Sequence, residues 1–134
     1  MKAILTLLLA LGLFILSGCT TPVAIDPQTG KDQTAKYQAG NFHGPLDAPI
    51  SEVFRTAIRE LDEMGYFRTG ELHRDTNITI YARKVGDEKV TVKTYIPSED
   101  KEMPEGQTML RIRVGTFGSL PESQAIYARI RDAL

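Results

Sequence analysis

Few residues of this chain could do covalent or acid–base chemistry. Among 134 residues there is one cysteine, Cys19, and there are two histidines, His43 and His73. A lone cysteine closes no internal disulfide, so its presence asks for another reason. It stands directly after Leu16-Ser17-Gly18, at the end of an apolar run. No His/Cys/Asp grouping shows metal-ligand spacing, and no metal or cofactor is expected. No serine sits in a nucleophile elbow. Carboxylates are plentiful, but they fall on a helix face and in the segment 97–107, where a solvated role fits them better than a catalytic pair. The two histidines read as strand-end surface residues. No catalytic residue is assigned, and the chain is not expected to be an enzyme. The alternative is a hydrolase using His43 or His73 as its acid–base group.

Recognition of charge has better material. Tyr81, Arg83, Lys93, Tyr95, Arg111 and Arg113 alternate with apolar residues in three separate runs. Side chains of like parity share one face of a strand, so all six should project from the same side of a sheet. Aromatic residues and arginine are favoured at interfaces. The same residue types also simply suit an exposed β-surface. The run Gly115-Thr116-Phe117-Gly118 leads into a helix start, which could receive an anion. Its glycine pattern is short and lacks a Walker lysine, so a tight strand-to-helix turn with Phe117 packed into the core is the preferred reading.

The start of the chain carries an address. Lys2 gives a positive n-region, Ala3 to Leu16 is apolar but for Thr6 and Gly12, and Ser17-Gly18 are small. This is the three-part build of a secretory signal. The run is short for a membrane span, which takes about 20 apolar residues. Leu16-Ser17-Gly18-Cys19 resembles the bacterial lipobox, which implies cleavage before Cys19, a diacylglyceryl group on its thiol and a further acyl chain (palmitate in kind) on the new amine. An ordinary secretory signal and an uncleaved anchor are the competing readings. Thr20, being other than Asp, favours the outer over the inner membrane by the same resemblance, with the domain facing the periplasm. Nucleic acid is then not an expected partner. The membrane itself is one, through the lipid, and an acidic glycan, lipopolysaccharide phosphate or acidic protein surface would suit the basic face.

These residues need elements to hold them. The formal net charge is −1, which excludes a chain built as a whole for polyanions. Residues 1–18 read as signal peptide, 19–35 as lipidated cysteine and flexible tether, and 36–134 as a single domain. The tether holds two prolines, a glycine and small polar residues without periodicity, and cannot bury enough apolar surface to order itself. A strand is expected over 36–43, ended by Gly44-Pro45. Ile50, Val53, Phe54, Ala57, Ile58, Leu61 and Met64 follow the 3.6-residue period and predict a helix over 49–64, with Asp47 or Ala48 as cap, Pro49 in the first turn and Gly65 as the left-handed stop. Glu52, Arg55, Arg59, Glu60 and Glu63 fall on its polar face. Strands follow over 66–73, 78–84, 90–96 and 109–116, with 97–107 as a loop. Ser119-Leu120-Pro121-Glu122 matches a capping box before a last helix whose stripe is Ile126, Tyr127, Ile130, Ala133 and Leu134. The order βαββββα predicts an α+β two-layer sandwich. Its antiparallel sheet should carry both helices on one face, and the first strand should lie beside the last.

Leu46-Asp47-Ala48-Pro49, the helix ending near Met64-Gly65, and Ile112-Arg113-Val114-Gly115-Thr116-Phe117-Gly118 before a terminal helix together resemble a family of small bacterial lipoproteins defined by a domain of unknown function. The resemblance covers residues 36–134. It implies an envelope location and this fold, and brings no catalytic or binding residue. The expected function is a lipid-anchored, non-catalytic binding or structural module of the envelope, or a subunit whose open sheet face a neighbour covers.

Overall fold

The computed structural model describes residues 21–22, 35–97 and 106–134. Cys19, the remainder of the leader and tether, and the middle of the 97–107 loop lie outside the described residues. Among the described residues there are seven strands: β1 Thr21–Pro22, β2 Lys36–Gln38, β3 Asn41–Leu46, β4 Phe67–Arg74, β5 Asn77–Arg83, β6 Lys89–Tyr95 and β7 Thr108–Val114. Helix α1 spans Ile50–Glu63 and α2 spans Leu120–Ala133. The sheet order is β1-β2-β3-β7-β6-β5-β4, antiparallel throughout. The fold is the expected α+β arrangement, with β3 beside β7 and both helices packed on one face of the sheet.

Alternation decides which side of each strand is covered. Val90, Val92 and Thr94 of β6, and Leu110, Ile112 and Val114 of β7, are buried beneath the helices. Val53, Ala57 and Leu61 of α1 and Ile126, Tyr127 and Ile130 of α2 meet them. Gly65 takes a left-handed φ of 82°. Tyr66 N–H donates to Leu61 O and Gly65 N–H to Asp62 O, the paired bonds that close a helix over a glycine.

The opening strand departs from expectation. Lys36 to His43 is not one strand: it folds back at Ala39-Gly40, both with positive φ (48° and 78°), and β3 then runs through Gly44-Pro45 to Leu46. Two successive positive φ values make the turn whose twist suits a two-residue hairpin. Proline is tolerated in β3 because β2 ends opposite His43, leaving no strand neighbour for Pro45 on that side. Thr21 and Pro22, from the stretch expected as tether, pair with Tyr37 and Lys36.

Three local expectations fail because a more distant partner wins. Pro49, not Asp47 or Ala48, caps α1, and the Asp47 carboxylate instead accepts from Gln107. Ser119 caps α2 without a side-chain bond, and Glu122, which a capping box would turn back to the Ser119 N–H, is taken by Lys84 at 2.6 Å. Glu60, expected on the solvated face of α1, is buried between the helices and paired with Arg129 of α2 at 3.2 Å and with Arg59 at 3.3 Å.

Tyr127 joins the layers. Its ring lies 5.1 Å from that of Phe42, and its hydroxyl donates to the Pro45 carbonyl. A Cβ at Gly44 would sit 2.6 Å from this ring, so only glycine lets α2 approach β3 so closely. Burial pushes the Tyr127 phenol up to about 12. An unfolded chain releases that proton near pH 10. The fold thus favours the neutral phenol; its contribution is whole below about pH 10 and is lost as pH climbs to about 12. The loss amounts to on the order of 3 kcal/mol. Tyr127→Phe should flatten the alkaline limb of a Tm-against-pH curve; a limb as steep as wild type would refute the assignment.

Candidate functional site

The pairing register builds the helix-free face row by row. His43, Arg111, Lys93 and Thr79 follow one another across β3, β7, β6 and β5. Arg113, Thr91 and Tyr81 form the neighbouring row, and Met109, Tyr95, Asn77 and Arg74 the row beyond. Right-handed twist curls such a sheet. The result is a concavity of about 490 Å³ rather than the flat surface a half-covered sheet suggests. Its floor is deep enough that Thr79 is buried on a face no helix covers.

The cations of this concavity are Arg74, Lys93, Arg111 and Arg113, and among the described residues no aspartate or glutamate lines it. Lys93 places its ammonium 5.9 Å from the centre of the Tyr95 ring. No ion pair joins Lys93 or Arg111 to a carboxylate among the described residues. Both side chains are half-buried, so their charges act where water screens less than at an open surface. Tyr95 OH lies 3.1 Å from His43 Nδ1. Burial raises the Tyr95 phenol above its usual range, with Arg111 pulling the other way, so the hydroxyl stays protonated.

The six residues read from the sequence do share this face but not one role. Tyr81, Lys93, Arg111 and Arg113 line the concavity. Arg83 lies at the end of β5, where its guanidinium is held by Asp87 of the next turn. Tyr95 turns toward His43. Arg113 is spent on structure: it donates to Ala39 O at 2.7 Å and to Thr116 O, fastening the β2–β3 turn to the loop after β7. Arg74, Asn77 and Asn41 line the site without having been singled out. Arg74 reads as a turn residue, yet it is two positions past Leu72 on the same side of β4, and parity alone could have found it.

The loop 115–118 is the tight turn expected, but Phe117 is exposed and not in the core. The backbone of Phe117-Gly118 instead abuts Gly40, where an added Cβ on Gly118 would lie 2.1 Å from Gly40 O. The histidines are on opposite faces. His43 shares the open face with Arg111, whereas His73 stacks edge-on against Phe54 of α1 at 5.2 Å and bonds Glu71 at 3.0 Å. They cannot serve one site. Among the described residues no cluster of three or more His, Cys, Asp or Glu could hold a metal ion, and no helix is long and apolar enough to cross a membrane.

Comparison with known proteins adds little beyond membership. No curated protein matches the sequence. CalU16 from Micromonospora echinospora is similar in structure at 12% identity, over 87% of this chain and 94% of that one, with a TM-score of 0.34. The di-domain ARO/CYC StfQ of the steffimycin biosynthetic pathway is similar at 13% identity and a TM-score of 0.30, over 69% of this chain. This chain spans only 42% of StfQ. TM-scores this low carry no weight for activity. The family of proteins of unknown function DUF3568 matches over residues 2–133, and the chain belongs to that family.

Proposed function

We propose that this chain is a lipid-anchored envelope protein whose domain binds an anionic component in the concave, helix-free face of its sheet and performs no reaction on it. The observation that carries the reading is the concavity lined by Arg74, Lys93, Arg111 and Arg113, with no carboxylate among the described residues that line it. The chain as a whole carries a net charge of −1, so four cations lining one hollow are a local feature and not a reflection of overall charge. Polar floor residues Thr79, Asn77 and Asn41 add neutral hydrogen-bonding groups, which suits a hydroxyl-rich or phosphorylated ligand. The location rests on Leu16-Ser17-Gly18-Cys19 behind the apolar leader, and Thr20 favours the outer membrane. The alternative is a hydrolase using His43 or His73; their placement on opposite faces limits such a site to one of them.

Mass spectrometry of the protein from its host membranes checks the anchor: the chain should begin at Cys19 and carry acyl chains, and an intact Met1 would remove the lipoprotein reading. The face is checked by titrating the full chain with lipopolysaccharide, whose phosphates and acidic sugars offer the expected chemistry. Saturable binding that weakens with added salt supports the reading, and heat released in no titration contradicts it.

A further inference from the structure

The three most exposed large apolar side chains among the described residues are Phe117 (89%), Val85 (81%) and Phe67 (66%). They come from separate segments. Phe117 follows the end of β7, Val85 follows the end of β5, and Phe67 opens β4. The register brings all three to one end of the sheet: Phe67 is opposite Arg83, Arg83 opposite Lys89, and Val90 opposite Val114. The Ala39-Gly40 turn closes the same end, since Gln38 pairs Asn41 and Phe42 pairs Ile112.

Phe117 is held outward by a built loop. Gly40, Gly115 and Gly118 all take positive φ, and the Gly40 and Phe117-Gly118 backbones touch too closely for a Cβ on either glycine. Arg113 ties Ala39 O to Thr116 O across this contact. A chain that merely tolerated a stray phenylalanine would not need such a mount.

The N-terminal strand reports where the anchor would come from. β1 is antiparallel to β2, with Thr21 opposite Tyr37 and Pro22 opposite Lys36. Toward its start, β1 therefore points at the Ala39-Gly40 turn. Cys19 precedes Thr21 by two residues in the sequence, and two residues span at most about 7 Å.

We propose that this end of the domain rests on the bilayer that receives the lipid anchor, with Phe117, Val85 and Phe67 inserted among the headgroups. The proposal rests on acylation of Cys19 as argued above. Grouped apolar exposure marks a partner or membrane surface. Interfacial segments sink apolar side chains ~5–10 Å into the headgroup boundary. The short span from Cys19 to β1 selects the bilayer over a protein partner, because it brings this end to the surface whatever else is bound. Lys89 is exposed at the same end beside the equally exposed Asp87 and Glu88, so charge there is mixed and the apolar side chains carry the insertion. The strands then stand along the membrane normal, and the basic concavity opens sideways, clear of the lipid.

The test uses the full lipidated chain in phosphatidylethanolamine–phosphatidylglycerol vesicles. Acylation occupies the Cys19 thiol, so a cysteine introduced by Phe117→Cys is the single site for an environment-sensitive fluorophore. Its emission should shift to the blue and be quenched by doxyl-labelled lipid. The same label at Ile96→Cys, exposed at the opposite end of β6, should do neither. Equal, unquenched emission from both labels on an acylated chain overturns this proposal alone. A blue shift that follows protein density instead of doxyl lipid identifies a second copy as the occupant and also overturns it. An unmodified Cys19 in the mass spectrum overturns both this proposal and the lipoprotein reading.

Discussion

Gly118→Ala is expected to lower the melting temperature by roughly 10–25 °C, the sum of a left-handed backbone cost of about 1–2 kcal/mol and an overlap cost of about 1–3 kcal/mol in a domain of this size. The first part follows from a φ of 82° at Gly118. The second follows from the 2.1 Å between an added Cβ and Gly40 O. That atom is backbone, held by the hairpin turn and by Arg113, and it cannot swing aside as a side-chain end could. Gly86→Ala is the matched control. Gly86 has a φ of 95° but nothing within 4 Å of an added Cβ, so it should show the backbone cost alone. Melting curves followed by circular dichroism on both variants separate the two contributions. If Gly118→Ala melts no lower than Gly86→Ala, the loop and hairpin are not in contact. Gly40→Ala meets the same contact from the other side, so the double variant should lose less than the two single losses added together.

Lys93→Glu and Arg111→Glu should each weaken capture of an anionic ligand by about 10- to 100-fold, because a charge-assisted hydrogen bond contributes about 1.5–3 kcal/mol and every 1.4 kcal/mol is tenfold. Stability should change little, since neither side chain carries a structural ion pair among the described residues. Arg113 is the wrong residue for this test. Reversing it also cuts the bonds to Ala39 O and Thr116 O, and a loss of binding would then report an unfastened loop. Arg55→Glu, on the exposed surface of α1, makes the same change in net charge on the other layer. It should leave affinity within the small shift that a distant, screened charge produces. Equal losses from Arg55→Glu and Arg111→Glu would mean that net charge, and not the concavity, governs binding.

Several features of this protein were settled by the sequence alone, because their causes are local. The apolar period of Ile50 to Met64 made a helix, and Gly65 ended it through its own freedom of φ. Strict alternation in 78–83, 89–95 and 108–114 put one set of side chains under the helices and the other on the open face. That parity alone delivered Tyr81, Lys93, Arg111 and Arg113 to a common surface. Tertiary structure decided whatever depended on a partner far away in the chain. Glu60 left the polar face because Arg129 of the other helix reaches it. Glu122 left its capping box because Lys84 offers a full charge. The opening strand split because Gly40 must accept the backbone of Phe117-Gly118, which in turn keeps Phe117 out of the core. The hollow in the sheet has the same origin: alternation chooses a face, but twist accumulated over paired strands chooses its curvature. A residue's side of a strand is fixed by its neighbours in sequence, whereas its ion-pair partner and the shape of its surface are fixed only once distant strands have met.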